Sequence, residues 1–315
     1  MRVSVITIFL DEQRFLDEAV RSVLGQTHAD LEYLLVDDGS SDGSSEIARR
    51  WAAADSRVRY LEHPGHANRG MSASRNLGIA HARGDLCAFL DGDDVWEPAK
   101  LARQVELFER DPRLDWSYGA PLYWHRWPRA VAAPEAEAPR DDALQEIGLE
   151  PGTVCDPPSL VARFLAAGEA TPCTCDLIVR RAVVERVGGF VDEFAGMYED
   201  QAFCTKLALA GRCVIGPPAL SRYRQHADSC CATAFATGAQ VEARRRFLDW
   251  TRRYLIEQRV TDRRIHRALR RQVALLEPPS GAERAVKRVL KVVIPASVRQ
   301  TLRRWQSAAR RRTNR

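Results

Sequence analysis

The stretch Leu86-Cys87-Ala88-Phe89-Leu90-Asp91-Gly92-Asp93-Asp94 decides the fold, because an apolar run passes directly into three carboxylates. The apolar residues 86–90 predict a buried strand. Asp91 and Asp93 are two positions apart and point the same way from extended backbone, while Gly92 allows a turn and the close approach of a ligand. Two converging carboxylates suit a divalent cation that carries a diphosphate, whereas a simple acidic turn is the other interpretation.

Strand patterns alternate with helical patterns on the amino-terminal side of this stretch. Residues 3–9 and 31–36 are apolar and rich in β-branched side chains, with helical spacing between them. The second run ends in Asp37-Asp38-Gly39-Ser40, so acids again follow a strand. Strands that alternate with helices form a mostly parallel sheet, whose ligand crevice lies at the carboxyl ends of the strands. We therefore predict an α/β fold with both acidic clusters at one edge of the sheet.

The carboxyl-terminal side predicts more helices and one long connection. Residues 128–158 are rich in Pro, Ala and acids with little periodicity, which indicates a long connection or a flap. A helical extension closes the body of the chain. Helical patterns cover residues 72–81, 98–111, 181–187, 199–211 and 241–276.

Length and composition limit the class of protein. The chain has 315 residues, of which 45% are hydrophobic, so it can bury a full core. It has no apolar run of the roughly 20 residues that span a membrane, and it begins directly with a strand pattern, so we predict a cytoplasmic protein. Eight cysteines are scattered without paired C-x-x-C spacing, which predicts reduced thiols that pack as small hydrophobic side chains.

Positive charge is concentrated at the carboxyl terminus. Residues 281–315 contain eleven Lys or Arg and one acid, so the rest of a chain of net charge +5 is mildly acidic. Apolar and basic residues there alternate with helical spacing around Trp305, which predicts amphipathic helices that attach peripherally to the inner face of a membrane. Packing of these helices on the acidic body is the alternative, and no nucleic-acid partner is expected.

Six clusters, in this order and spacing, resemble glycosyltransferase family 2. They are Val3 to Thr7, Leu35 to Asp42, Asn68 to Gly70 with Ser74 to Gly78, Ala88 to Asp94, Tyr198 to Gln201, and Tyr223 to Ser229. The resemblance implies the Rossmann-like GT-A fold, a nucleotide-diphosphate sugar as donor, most often a uridine nucleotide, and inversion at the anomeric carbon. The Gln-x-x-Arg-Trp element of processive synthases is absent from the sequence, so one sugar per encounter is expected.

The resemblance also implies which residues bind the donor. It places Thr7, Asp38, Arg75 and Asp91 in the donor site, with Asp38 toward the base and Asp91 toward the ribose. The guanidinium of Arg75 offers a fork of donors for a diphosphate or the base. From the residues alone, Asp38 also fits an Asp-Gly-Ser turn and Arg75 a solvated helix face.

Metal binding and catalysis follow from the same resemblance. Asp93 and His226 match the positions that hold a divalent metal, Mn²⁺ or Mg²⁺, which suits carboxylate and imidazole ligands. Asp200 matches the catalytic base and Glu199 a supporting residue. Acids at a helix start are also favoured by the helix dipole, and a single histidine is often structural, so these alternatives stay open.

The resemblance covers roughly residues 3–230 and implies a GT-A domain at 1–230, and the helical and basic patterns beyond it predict a helical extension at 231–280 and a basic tail at 281–315. Within the first domain, about 1–120 bind the donor and about 121–230 carry the acceptor site and the base. A glycan or lipid-linked acceptor is expected, in cell-surface polysaccharide or glycoconjugate synthesis. Where the family commonly has Asn, this chain has Asp11.

Two other functions are weighed against this one. A nucleotidyltransferase needs a glycine-rich basic loop after the first strand, and this chain has Phe9-Leu10-Asp11-Glu12 there. A weak or inactive relative that acts as a membrane-associated scaffold would be expected to lack Asp93 or Asp200, and both are present.

Overall fold

Four parallel strands form the first half of the central sheet, in the order β3-β2-β1-β4. They are β1 (Val3–Phe9), β2 (Leu31–Asp37), β3 (Val58–Glu62) and β4 (Leu86–Asp91), connected by helices α1 (Leu16–Leu24), α2 (Ser44–Ala54) and α3 (Met71–His81). Every residue of β1 and β2 is buried, as in a parallel sheet covered on both faces. The predicted alternation of strands and helices is confirmed for this half.

The computed structural model describes residues 1–127, 141–167 and 171–276. One compact unit covers Met1–Leu269; of the part of the chain that begins at Arg270, residues 270–276 are described. The predicted basic tail at 281–315 and residues 128–140 of the predicted flap lie outside the described residues. Within the described ranges, no helix is both long enough and apolar enough to cross a membrane.

The second half of the sheet continues beyond β4 in the order β10-β6-β11-β9. These strands are β6 (Trp116–Tyr118), β9 (Val154–Cys155), β10 (Ile178–Arg180) and β11 (Cys213–Ile215). β10 is antiparallel to both β4 and β6, and β9 is antiparallel to β11. The sequence patterns did not predict these antiparallel pairings. β10 runs this way because the preceding 3₁₀ turn, Thr174–Asp176, approaches from the carboxyl end of β4, where Ile178 pairs with Ala88.

A second, four-stranded sheet lies where the chain leaves β4. Its order is β5-β12-β7-β8, formed by β5 (Val95–Trp96), β7 (Leu122–Trp124), β8 (Ala143–Leu144) and β12 (Ser221–Arg224). Since β5 follows Asp94 directly and pairs with β12, this small sheet brings the segment after β12 to the acidic turn. Residues 141–158 of the predicted flap are therefore partly ordered as strands β8 and β9.

Seven further helices surround the sheets in the described residues. They are α4 (Lys100–Arg110), α5 (Ser159–Ala167), α6 (Arg181–Val187), α7 (Glu199–Ala210), α8 (Cys230–Thr237), α9 (Ala239–Glu257) and α10 (Arg263–Leu276). The Arg-rich pattern at 241–276 thus forms most of two helices. Gly78 lets α3 pack tightly on the sheet, because a Cβ there would lie 2.5 Å from Cγ2 of Ile6. All eight cysteines are free thiols, but Cys230 and Cys231 are exposed instead of packed in the core as predicted.

Candidate active site

The carboxyl end of β4 turns sharply toward the end of β1. Gly92 N donates a hydrogen bond to Ile8 O at 3.1 Å. A Cβ on Gly92 would lie 2.9 Å from the Cβ of Phe9, so only glycine allows this approach. The turn places Asp91 and Asp93 at the crevice that the parallel strands predict.

Arg75 of α3 joins two carboxylates that are distant in sequence. Its Nη2 donates to Asp91 Oδ1 at 2.6 Å and its Nη1 donates to Glu199 Oε1 at 3.0 Å. The side chain is 2% exposed and its guanidinium lies over the ring of Phe190 at 5.2 Å. Burial alone would lower the pKa of Arg75, but the charges of Asp91 and Glu199 outweigh it and raise the pKa. The interpretation of Arg75 as a solvated helix residue is therefore wrong.

Glu199 and Asp200 form the first turn of α7. Tyr198 occupies the cap position, so neither acid caps the helix. Glu199 is 5% exposed, whereas Asp200 is partly exposed. Burial raises the pKa of Glu199 to about 8, with help from the charge of Asp200, and burial raises the pKa of Asp200 to about 6. Asp200 is thus the more accessible carboxylate, and it is largely deprotonated at neutral pH.

Asp93 and His226 are in direct contact at the end of β4. The distance between Asp93 Oδ2 and His226 Nε2 is 2.9 Å, and Nδ1 of His226 is buried without a hydrogen-bond partner. Neighbouring ligand atoms of an octahedral ion with metal–ligand distances of 2.0–2.1 Å lie about 3 Å apart, so the two side chains fit adjacent positions around Mg²⁺ or Mn²⁺.

These two residues do not make a complete metal centre. In residues 1–127, 141–167 and 171–276, no group of three or more His, Cys, Asp or Glu side chains is arranged to hold a metal ion. A site with two protein ligands matches ions that a substrate diphosphate also ligates. The residues present therefore fit a metal that binds together with a nucleotide diphosphate.

Arg224 of β12 holds the acidic turn, and sequence reasoning missed it as a site residue. Its Nε donates to Asp93 O at 2.6 Å and its backbone N donates to Asp94 Oδ1 at 2.8 Å. Its Nη2 reaches Glu18 Oε2 at 2.6 Å. Three aromatic rings lie 4.5–5.1 Å from the guanidinium carbon: Phe15, Trp124 and Trp127. In the sequence, only the position of Arg224 within the Tyr223 to Ser229 cluster indicated that it could belong to the site.

Two further carboxyl groups lie beside Asp91 and Asp93. Asp94 is 1% exposed, and burial together with the charges of Asp93 and Asp91 raises its pKa well above the ordinary value. Glu12, just after β1, was also missed by sequence reasoning. Burial and the charges of Asp93 and Asp91 raise the pKa of Glu12 to about 8. A cluster of carboxyl groups of this kind favours the binding of a cation, because the cation relieves the repulsion that raises these pKa values.

Asp38 fixes the start of α3. Its Oδ1 accepts hydrogen bonds from Arg69 N at 2.8 Å and from Ser74 Oγ at 2.9 Å, and its Oδ2 accepts from Gly70 N at 3.0 Å. The Asp38 carboxylate therefore does not close the Asp-Gly-Ser turn; it holds the loop that leads to the helix of Arg75. Asp37 beside it is fully buried, and it accepts from the backbone N–H groups of Gly39 and Ser40 and from the hydroxyls of Ser45 and Tyr60.

The structure places Thr7 differently from the sequence expectation. Its side chain is fully buried, and its hydroxyl accepts a hydrogen bond from the Tyr33 hydroxyl at 3.0 Å. Because Thr7 shares a face of β1 with Val5 and Phe9 of the core, its side chain lies in the core and not in the donor crevice.

Asp11 explains how this chain departs from the common asparagine. Its backbone is left-handed, with φ +57°, which Asp and Asn tolerate better than other side chains. Its Oδ1 accepts hydrogen bonds from Ser41 N at 2.6 Å, from Asp42 N at 3.2 Å and from the Ser41 hydroxyl. All three partners are donors, so a carboxylate oxygen serves as well as an amide oxygen.

Comparison with known sequences supports one family. The sequence model of "Glycosyl transferase family 2" matches residues 4–165. The putative teichuronic acid biosynthesis glycosyltransferase TuaG of Bacillus subtilis is 39% identical over 107 residues, which are 33% of this chain and 41% of that protein. Matches to two other curated relatives span 33% and 31% of their lengths. The chain thus spans less than half the length of these curated relatives.

Solved structures show the same fold. S. aureus TarS 1–349 in complex with UDP-GlcNAc has a TM-score of 0.59 and 18% identity, and the match covers 74% of this chain and 61% of that one. The mannosyltransferase PcManGT from Pyrobaculum calidifontis, in complex with GDP-Man and Mn²⁺, has a TM-score of 0.59 and 17% identity over 98% of this chain and 80% of that one. These neighbours have the GT-A fold, and the predicted fold class is confirmed.

Proposed function

Since the chain belongs to glycosyl transferase family 2, we propose that it transfers one sugar per encounter from a nucleotide-diphosphate sugar to an acceptor hydroxyl, with inversion. The contact that carries this proposal is the pair of hydrogen bonds from Arg75 to Asp91 and Glu199. Through them the donor-side carboxylate and the acidic pair of α7 lie in one cluster. A donor sugar bound at Asp91 would then lie near Asp200.

Asp200 acts as the general base in this proposal. A carboxylate with a pKa of about 6 is deprotonated at neutral pH and still basic enough to accept a proton from a hydroxyl as it attacks. Glu199 supports it by binding Arg75, which fixes the first turn of α7. Attack by the activated hydroxyl opposite the departing nucleotide is a single displacement, which inverts the anomeric carbon.

Asp93 and His226 would hold a divalent metal, Mn²⁺ or Mg²⁺. When bound, such an ion neutralises the negative charge that develops on the leaving diphosphate. Asp93 is held in place by the bond from Arg224 to its carbonyl, and the carboxyl groups of Glu12 and Asp94 lie beside it, where a bound cation would favour their ionised form. The Mn²⁺ in the PcManGT complex supports this assignment.

The donor is proposed to be a uridine diphosphate sugar. Asp38 and Asp91 would accept hydrogen bonds from the base and the ribose, and the UDP-GlcNAc complex of TarS supports this choice, although PcManGT binds GDP-Man. A glycan or lipid-linked acceptor in cell-surface polysaccharide synthesis agrees with the name of TuaG. Residues up to about 120 would form the donor half and residues 121–230 the acceptor half.

A panel of UDP, dTDP and GDP sugars tests the function directly. With Mn²⁺ present, one donor should raise the unfolding temperature and be consumed in the presence of acceptor. Asp200→Asn should still bind that donor but should not transfer it. A protein that neither binds nor consumes any sugar nucleotide would contradict the proposal and would favour the scaffold alternative.

Peripheral attachment to the inner face of a membrane is proposed from the sequence of residues 281–315 alone. Anionic liposomes should sediment the full chain and not a chain that ends at residue 280. Equal sedimentation of both proteins would contradict membrane attachment without affecting the proposed transfer reaction.

A further inference from the structure

Tyr198, the residue directly before Glu199 and Asp200, has a left-handed backbone with φ +73°. Bulky L-residues rarely adopt this region, because the Cβ crowds a neighbouring carbonyl oxygen. Such strained backbone persists only where surrounding contacts hold it, and it concentrates at functional sites. The contacts of Tyr198 therefore determine the orientation of the first turn of α7.

A ladder of aromatic rings on α9 holds Tyr198 in this conformation. The Tyr198 ring stacks on Phe247, with 5.2 Å between centroids and 12° between planes. Phe247 packs on Trp250, and Trp250 stacks on Tyr254 at 4.9 Å. Phe247 is 4% exposed, so a rotation of Tyr198 would uncover apolar ring surface. The strain at Tyr198 is thus balanced by packing against a long helix.

The loop before Tyr198 is fixed on its other side by the start of α3. Ser72 Oγ donates a hydrogen bond to Phe194 O at 2.7 Å. Gly70 permits the contact, because a Cβ there would lie 2.7 Å from the Cβ of Ala195. The loop is therefore clamped between α9 and α3, the helix that carries Arg75. The loop before Asp200 is therefore packed against the helix that carries Arg75.

We propose that Phe247 is a positioning residue for Asp200 and acts through the backbone of Tyr198. The inference rests on the proposed function, because it assigns Phe247 a part in catalysis by Asp200. Without the Phe247 ring, Tyr198 relaxes toward right-handed backbone and the carboxylate of Asp200 moves away from the acceptor hydroxyl. The residues that bind the donor and the metal stay in place. α9 lies beyond the residues that the family model matches, 4–165.

Phe247→Leu tests the role, because it removes the ring and keeps apolar bulk. Tyr254→Leu is the control, because it also replaces an aromatic ring by leucine on the same helix, at the partly exposed far end of the ladder. For Phe247→Leu we expect kcat to fall about ten- to a hundredfold, the range that misplacement of about 1 Å reaches, with the donor KM within about twofold of the control. Phe247→Tyr keeps the stacking and should restore kcat.

A double variant isolates the pathway through Tyr198. Tyr198→Gly removes the ring but tolerates positive φ. If Phe247 acts through Tyr198, Phe247→Leu should lower kcat no further in the Tyr198→Gly protein, so the two effects are non-additive. A full additional loss in the double variant would overturn the proposal.

Two other results would also overturn it. One is equal kcat for Phe247→Leu and Tyr254→Leu at equal unfolding temperature, and the other is a loss of kcat in both variants that follows their loss of stability. If the parent protein transfers no sugar at all, the proposed transfer function is wrong, but the structural role of Phe247 can still be tested. In that case the ¹³C chemical shifts of residues 198–200 are compared between the parent and Phe247→Leu. A change toward right-handed backbone supports the positioning role, and unchanged shifts overturn it.

Discussion

Arg75 Nη1 lies 3.0 Å from Glu199 Oε1 and joins residues that are 124 positions apart in the chain. The other arm of the same guanidinium holds Asp91 at 2.6 Å. One buried cation thereby connects the turn at the end of β4 to the first turn of α7.

Arg75→Met should destabilise the protein by about 3 kcal/mol or more, because it removes the charged hydrogen-bond partner of the buried Glu199 and of the partly exposed Asp91. Arg75→Lys should lose less free energy of unfolding, since an ammonium keeps the positive charge although it cannot bind both carboxyl groups through one planar guanidinium. Urea denaturation of both variants gives the free energies of unfolding. Arg69→Met, an exposed arginine whose backbone N–H still binds Asp38, is the control and should unfold like the parent. Unchanged stability of Arg75→Met would contradict the role of the bridge.

Asp200→Asn should lower kcat by roughly a hundredfold or more, the range of general-base catalysis, and leave the donor dissociation constant unchanged. In the parent, kcat should fall as pH drops through about 6, because protonated Asp200 accepts no proton. Steady-state rates and calorimetric donor binding measure the two effects. Asp249→Asn, an exposed acid on α9, is the control. Parent-like kcat in Asp200→Asn would assign the base elsewhere.

The stability of the metal-free protein should fall as pH rises from 5 to 9. Burial raises the pKa of Glu199 to about 8, so the folded state holds a proton that the unfolded chain has released. The resulting stabilisation is complete below pH 4.5, the ordinary pKa of a glutamate, and disappears as the pH rises through about 8.

Glu199→Gln should reduce this slope of the free energy of unfolding against pH without abolishing it, because burial also raises the pKa of Glu12 to about 8. Urea titrations at each pH measure the slope. Glu46→Gln, an exposed acid, should keep the parent slope. An unchanged slope in Glu199→Gln would show that Glu199 is not the group responsible.

Asp93→Asn and His226→Gln should each weaken Mn²⁺ binding in the presence of UDP by about tenfold or more, because each removes one ligand. Titration calorimetry measures the affinity, and EDTA should abolish transfer by the parent. Asp30→Asn, an exposed acid after α1, should bind Mn²⁺ like the parent. Parent-like affinity in both site variants would mean that the ion is held by other residues.

Asp11→Asn should leave the free energy of unfolding within about 0.5 kcal/mol of the parent value, since the amide oxygen can accept the same three hydrogen bonds. Asp11→Ala should cost about 1 to 2 kcal/mol, because it removes the acceptor and leaves a strained left-handed backbone. Thermal unfolding distinguishes the two variants. Equal losses in both would mean that the carboxylate charge itself matters.

The sequence by itself determined the alternation of strands and helices and the acids at the strand ends. These features are local: hydrophobic spacing and glycine positions act within a few residues, so the patterns 3–9, 31–36 and 86–90 predicted β1, β2 and β4. The antiparallel direction of β10 was not predictable in this way, because it depends on where a distant segment enters the sheet.

Tertiary structure alone decided which polar groups meet and what their chemistry is. The partners of Arg75, the enclosure of Arg224 and the left-handed Tyr198 arise from contacts between segments far apart in the chain. The raised pKa values of Asp200 and Glu199 come from burial, which no local pattern specifies. Thr7 was expected in the donor site from its motif, but its side chain is buried in the core. The face of the strand on which it falls decides this. Local sequence sets the elements, whereas packing sets their neighbours and the surrounding dielectric.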